Sequence, residues 1–135
     1  IAFVEENYPE VDVIENRENL GFGEGNNVGI RVARGKYIAL LNNDTVTHPE
    51  WLQRLFEAAE HSYRPYGMWA SKILFHDRPD MIDTAGHLMY PDGLNIGRGR
   101  GEIDTGQYDR LEEVFFPSGC AAAIISKVGI PITGK

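Results

Sequence analysis

The feature that most constrains this chain is Tyr37-Ile38-Ala39-Leu40-Leu41, an unbroken apolar run of strand length that passes directly into Asn42-Asn43-Asp44-Thr45. A strand that is apolar on both faces suits the interior of a parallel sheet covered by helices better than a sheet with one wet face. The flanking segments alternate in kind. Val11 to Glu15 carries β-branched residues and is a strand candidate. Asn26 to Arg34 predicts a short helix, with Gly35 as its stop. Thr47-His48-Pro49-Glu50 has capping-box spacing with Pro in the first turn, and Leu52, Leu55, Phe56 and Ala59 follow at helical spacing on one face. Met68 to Phe75 reads as a further strand. Strand and helix in alternation predict an α/β fold, a mostly parallel sheet flanked by helices and joined by right-handed crossovers.

The pattern changes after Phe75. His87 to Tyr90 and Leu94 to Ile96 flank the turn signal Pro91-Asp92-Gly93, which predicts a β-hairpin region in the second half. Gly97-Arg98-Gly99-Arg100-Gly101 reads as a flexible polar loop. Val114 to Ile125 is apolar again, interrupted by Pro117-Ser118-Gly119. A chain of 135 residues accommodates one domain, spanning residues 1–135.

A formal net charge of -7 opposes a nucleic-acid partner, which normally meets a basic surface. It leaves room for a phosphorylated ligand, because a bound cation or a helix N-terminus can hold phosphate in an acidic protein. The single cysteine, Cys120, makes an intrachain disulfide impossible, so a reducing, cytoplasmic setting is expected. Its apolar surroundings read as those of a small buried hydrophobe. No apolar run approaches the ~18 residues of a membrane span, although peripheral membrane association stays compatible. Ile1 to Glu6 lacks the features of a signal peptide, and the chain reads as one entered partway.

Two patterns carry chemistry. In open α/β sheets, ligands bind at the carboxyl ends of the strands. Asn42, Asn43 and Asp44 stand at such an end, where a carboxylate can hold a divalent cation that clamps phosphate oxygens. Taken singly, the same residues are more often a turn that ends a strand. The second pattern is Asn19-Leu20-Gly21-Phe22-Gly23-Glu24-Gly25-Asn26-Asn27-Val28-Gly29, in which glycines let backbone approach a ligand and amides offer donors and acceptors. Its bland reading is a loop-to-helix junction. One short helix and one strand separate the two patterns, so both are expected at one sheet edge, with Asp44 and Asn27 facing a common cleft. Arg98 and Arg100 could reach a diphosphate or an acidic acceptor, or lie in a solvated loop. Glu102, Asp104, Asp109, Glu112 and Glu113 look like a solvated acidic face. His48, His61, His76 and His87 show no metal-ligand spacing. Trp51 and Trp69 read as core.

The stretch Val13 to Ile30, the stretch Ala33 to Thr45, and Pro49-Glu50-Trp51-Leu52 together closely resemble the family 2 glycosyltransferases, in particular their rhamnosyltransferase-like branch. Ser118-Gly119-Cys120-Ala121-Ala122 resembles that family's downstream Ser-Gly segment, and the order of motifs agrees. The resemblance implies a GT-A fold and a hexosyltransferase-type activity, with inverting transfer from a nucleotide-diphosphate sugar to a glycan or glycolipid acceptor. Asn42-Asn43-Asp44 aligns with the Asp-x-Asp metal motif, so Asp44 would be the ligand to Mg or Mn, and Asn42 replaces the first acidic residue. Gly21, Asn27, Asn42, Asn43, Ser118 and Gly119 would contact substrate. The resemblance further implies that a first strand–helix unit precedes Ile1 and that the catalytic base lies beyond Lys135, so this internal fragment would be inactive alone. The tail Lys127 to Lys135 departs from the helix the family places there, since Gly129 and Pro131 oppose helix. Two other readings stay open. One is a degenerate, non-catalytic binding domain. The other is a dinucleotide-binding oxidoreductase, suggested by Gly23, Gly25 and Gly29 but lacking the strict Gly-x-Gly-x-x-Gly.

Overall fold

The computed structural model describes residues 1–125. Its elements, in chain order, are α1 (Ala2–Asn7), α2 (Gly21–Val32), β1 (Tyr37–Leu41), α3 (Trp51–Glu60), β2 (Met68–Ala70), β3 (Ile73–Leu74), β4 (Ile82–Thr84), β5 (His87–Met89), β6 (Asn95–Gly97) and β7 (Ala121–Ile125). They fall into two compact units, one from Ile1 to Arg34 and the other beginning at Gly35. The expected irregular tail, Lys127 to Lys135, lies outside the described residues.

In the first unit α2 begins at Gly21 rather than at Asn26, so the glycine-rich segment expected as a loop forms the opening turns of the helix. Each interior glycine disfavours helix by roughly 1 kcal/mol. Side-chain bonds along the helix offset this. The Asn26 amide donates to the Phe22 carbonyl at 2.8 Å, and Asn27 and Arg31 both donate to Glu24. Before the helix, Asn19 Oδ1 accepts the Gly21 N–H at 2.9 Å. Val11 to Glu15 forms no strand. Its β-branched residues have no strand partner among the described residues, and β propensity is expressed only through such partners.

In the second unit the strand order is β1-β7-β2, and both pairings are antiparallel. This corrects the expectation of a mostly parallel sheet. β1 and β2 do run in the same direction, but β7 lies between them and runs against both. The apolar run after Ser118-Gly119 is the physical reason. Ala121-Ala122-Ala123-Ile124-Ile125 is as apolar as β1 and takes the central position, where Ala122 is only 1% exposed. Its register places Leu41 opposite Ala121, Ala39 opposite Ala123, and Trp69 opposite Ala123 on the other side.

Helix α3 covers one face of this sheet. Leu55 and Ala59 are buried against Trp69 and Ala123, and Tyr37 stands edge-on to Trp69 at 5.5 Å between ring centroids. Both tryptophans belong to this packing, Trp69 buried and Trp51 against its border. Their polar tips are satisfied, Trp69 Nε1 by Ser62 Oγ at 3.1 Å and Trp51 Nε1 by Ser71 Oγ at 2.9 Å. The expected capping box does not form. Glu50 is the N-cap of α3 and makes no side-chain cap bond; just before it, His48 takes the Glu50 N–H on Nδ1 at 3.2 Å and the Trp51 N–H on its carbonyl at 2.9 Å. Leu52 and Phe56 have the predicted spacing but are 58% and 54% exposed. They line an open groove of about 730 Å³ with Tyr37, Ala39 and Pro49.

The run expected as one strand from Met68 to Phe75 is broken at Ser71-Lys72 into β2 and β3, and β3 pairs with β4. β5 and β6 form the expected hairpin, with Gly93 at φ +85° in its turn and the Leu94 N–H donating to Asp92 Oδ1 at 3.0 Å. The loop expected to be flexible at Gly97 to Gly101 is instead tied down by backbone bonds. Arg98 exchanges bonds with Ala85 and Gly86, and the Gly101 N–H reaches the Ile82 carbonyl at 2.8 Å. Gly99 is required there. Its φ is +74°, and a Cβ would come within 2.5 Å of the Tyr108 ring.

The packing predicts an asymmetry that urea unfolding can measure. Trp69→Ala should destabilise the fold by about 3–5 kcal/mol, whereas Leu52→Ala, at an exposed position, should change stability by no more than about 0.5 kcal/mol.

Candidate functional site at the carboxyl edge of the sheet

Because β1 and β2 point the same way, their carboxyl ends meet the amino end of β7 at one edge. The Asn42 N–H donates to the Cys120 carbonyl at 2.9 Å, which extends the β1–β7 ladder one step and ties Asn42 to the Ser118-Gly119-Cys120 segment. Thr45 Oγ1 donates back to the Asn42 carbonyl at 2.6 Å and closes the turn that carries Asn43 and Asp44. Asn43 and Asp44 are exposed on that turn. The Asp44 carboxylate has no hydrogen bond or ion pair among the described residues. Ser118 Oγ accepts the Cys120 N–H at 3.4 Å. Burial pushes the Cys120 thiol above its ordinary pKa, and the negative charges of Asp44 and Asp83 push it further. Both carboxylates therefore lie within electrostatic reach of one sulfur.

Asp83 arrives from a second ribbon at the same edge. The chain leaves the carboxyl end of β2 through Ser71-Lys72 and enters β3, whose partner β4 carries Asp83. Asp83 is ion-paired to Arg100, whose guanidinium also lies over the Phe75 ring, 5.3 Å from its centroid. Lys72 is gripped by Asp104 at 2.7 Å and Asp109 at 2.5 Å. Burial works against the Lys72 charge, but the two carboxylates outweigh it and hold its pKa above the ordinary value. Arg98 is paired with Glu112 and stacked on Tyr108, and Glu113 accepts from both Arg64 and Tyr66. The acidic segment expected to be a solvated face is thus engaged along much of its length by cations from distant segments.

Of the residues expected at a site, the second unit brings Asn42 into contact with the Ser118-Gly119-Cys120 segment and sets Asn43 and Asp44 on the adjoining turn. Gly21 and Asn27 belong to the first unit. There the Asn27 amide donates to Glu24 at 3.1 Å, and Arg31 holds the other Glu24 oxygen at 2.5 Å. These bonds, Arg31 first, keep the Glu24 pKa below the ordinary carboxylate value. Asp83 was missed by sequence reasoning. It sits between two buried residues of a three-residue strand and carries no motif. Among the described residues no group of three or more His, Cys, Asp or Glu side chains gathers to hold a metal ion. A hard cation such as Mg is commonly held by one or two carboxylates, with waters and substrate phosphates completing its shell. The exposed, unpaired Asp44 fits that role only when a ligand supplies the remaining oxygens.

The profile of glycosyl transferase family 2 matches residues 2–127. The chain belongs to this family. Membership implies a GT-A α/β fold. Over 76 residues, 56% of the chain, it is 41% identical to an uncharacterized glycosyltransferase of Methanocaldococcus jannaschii, of which it covers 24%. Over 52 residues, 38% of the chain, it is 40% identical to the succinoglycan biosynthesis protein ExoO of Rhizobium meliloti, of which it covers 15%. The chain thus spans only a minor part of the length of either relative. No solved structure gives a significant match. No helix among the described residues is long and apolar enough to cross a membrane.

The charges around Cys120 predict its reactivity. In the wild type, the pH profile of iodoacetamide alkylation should lie above that of the denatured chain. In Asp44→Asn and in Asp83→Asn it should move to lower pH, because each variant removes a negative charge that opposes thiolate formation.

Proposed function

We propose that this glycosyl transferase family 2 domain binds a nucleotide-diphosphate sugar together with Mg or Mn, and serves inverting transfer of a hexose-type sugar to a hydroxyl of a glycan or glycolipid. The observation that carries this reading is the unpaired, exposed carboxylate of Asp44 at the carboxyl edge of the sheet, beside the Asn42–Cys120 backbone bond that fixes its turn. In the reading, Asp44 holds the cation, which would neutralise charge on the departing diphosphate. Asn42 and Asn43 offer amides to the sugar or ribose. Ser118 and Gly119 adjoin Cys120 at the same edge, and Gly21 and Asn27 are assigned to the donor by the family resemblance alone.

A rhamnosyl donor and a role in polysaccharide assembly are the finer parts of the proposal. The first is supported by the resemblance of Val13 to Ile30, and the second by the similarity to a succinoglycan biosynthesis protein. A second reading, a binding domain without turnover, is favoured by one observation. Asn42 stands where the family motif has a carboxylate, which leaves Asp44 as the single acidic residue of the turn.

In the intact transferase, Asp44→Ala should lower metal-dependent sugar transfer by about 100-fold or more, the loss expected when a cation that stabilises a leaving group is no longer held. Nucleotide release measures it, and near-normal release in that variant removes Asp44 from the role. Donor binding without any nucleotide release by the wild type would establish the second reading instead.

A further inference from the structure

The two arginines of the Gly97 to Gly101 turn differ in what they can still bind. Arg98 is 17% exposed, paired with Glu112 and stacked on Tyr108. Its charge is committed inside the second unit. Arg100 is 60% exposed, while its partner Asp83 is only 30% exposed. The carboxylate is recessed and the guanidinium is presented. Stacking on Phe75 and the bond to Asp83 fix the plane of Arg100. A guanidinium has five N–H donors, and the bond to Asp83 involves a single nitrogen, Nη1, so a second edge remains open. This pre-ordered, open fork suits phosphate oxygens, which it can bind in pairs.

Position matters as much as chemistry. β3 begins three residues after the carboxyl end of β2, the end that shares its edge with Asn42 and Asp44, and its Ile73 pairs with Thr84, the neighbour of Asp83. Burial raises the Cys120 pKa, and the negative charges of Asp44 and Asp83 both add to it, in keeping with both carboxylates lying near this sulfur. An acidic edge would repel a diphosphate in the absence of a cation. Arg100 brings a permanent positive charge to Asp83, on the ribbon that leaves this edge, where the Asp44 turn offers one carboxylate for a metal instead of two.

We propose that Arg100, held in place by Asp83, is a direct ligand of the donor diphosphate and carries part of the charge neutralisation otherwise left to the metal. The inference rests on the nucleotide-diphosphate reading above and adds to it a second, metal-independent contact. Asp83 acts as a positioning residue.

The test is calorimetric titration of the intact transferase with UDP, dTDP and GDP, each in MgCl₂ and in EDTA. At least one diphosphate should bind the wild type and keep measurable affinity in EDTA. Arg100→Gln should weaken that EDTA affinity about tenfold or more, in keeping with loss of charge-assisted hydrogen bonds. Arg100→Lys, which keeps the charge but loses the fork, should fall between. Asp44→Ala should remove the gain produced by MgCl₂ without weakening the EDTA affinity, since it takes a negative charge away from the edge. Arg64→Gln makes the same charge change just before the amino end of β2 and should alter neither. Circular dichroism establishes that each variant is folded. Wild-type affinity in folded Arg100→Gln and Arg100→Lys overturns the inference, as does complete loss of wild-type binding in EDTA. Absence of binding by all three diphosphates in MgCl₂ overturns the donor reading and the inference with it.

Discussion

The position of β7 between β1 and β2 is the constraint on which the rest of the second unit depends. A strand hydrogen-bonded on both sides has no free edge and little room above or below, and Ala121, Ala122 and Ala123 meet that condition with minimal side chains. Ala123 lets Leu55 of α3 and Trp69 of β2 close over the sheet together. A larger residue there would force strain of about 1–3 kcal/mol. The same insertion sets the functional geometry. With β7 reversed between two strands that share a direction, both of their carboxyl ends face its first residues. Asn42 and Cys120 are then joined by backbone instead of by side-chain chance.

Around this apolar frame the second half of the chain is organised by ion pairs that reach far along the sequence, Arg64 to Glu113, Lys72 to Asp104 and Asp109, and Arg98 to Glu112. Only Arg64–Glu113 is exposed on both sides, and such a pair stabilises by about 0–1 kcal/mol; in the others at least the cation is sheltered. Their consequence lies in placement more than in stability. The Lys72 pair with Asp104 is the most sheltered of them and sits where the chain turns from β2 into β3, so it fixes the ribbon that carries Asp83. By committing Lys72 and Arg98 to internal carboxylates, the same set of pairs leaves Arg100 as the presented cation of its turn.

What the sequence disclosed follows from the range of the interactions that decided each element. β1 and the polar residues at its exit were readable because an unbroken apolar run of strand length is a local signature, although the strand is not buried on both faces as expected and Leu41 is 45% exposed. The β5–β6 hairpin was readable for a similar reason, since Asp92 and Gly93 encode the turn within four residues. Strand direction was not readable. β7 is apolar whichever way it runs, and whether it pairs parallel or antiparallel depends on how the chain returns after the hairpin, which no local pattern records. The glycine-rich stretch was misread because glycine suggests a loop, while the bonds from Asn26, Asn27 and Arg31 that hold it helical are apparent only once the helix exists. Val11 to Glu15 shows the converse, strand-forming residues without a strand to pair with. At the site, Asn42 to Thr45 could be recognised from position and residue type. Asp83 could not, because its relation to Asp44 passes through Cys120, which lies 37 residues from one and 76 from the other.

The substitution at Asn42 gains a physical sense from this arrangement. A second carboxylate at that position would tighten a cation in the absence of ligand, and it would also raise the negative potential that an incoming diphosphate must cross. An amide removes that repulsion and keeps a donor at the strand exit, while its backbone N–H remains fixed by Cys120. In the proposed reading the cost is a weaker hold on the cation, which the diphosphate would offset by completing the coordination shell. Such a site is best served by a permanent positive charge nearby that needs no recruitment from solution. Arg100, oriented by a recessed carboxylate and an aromatic face, has the chemistry for that task.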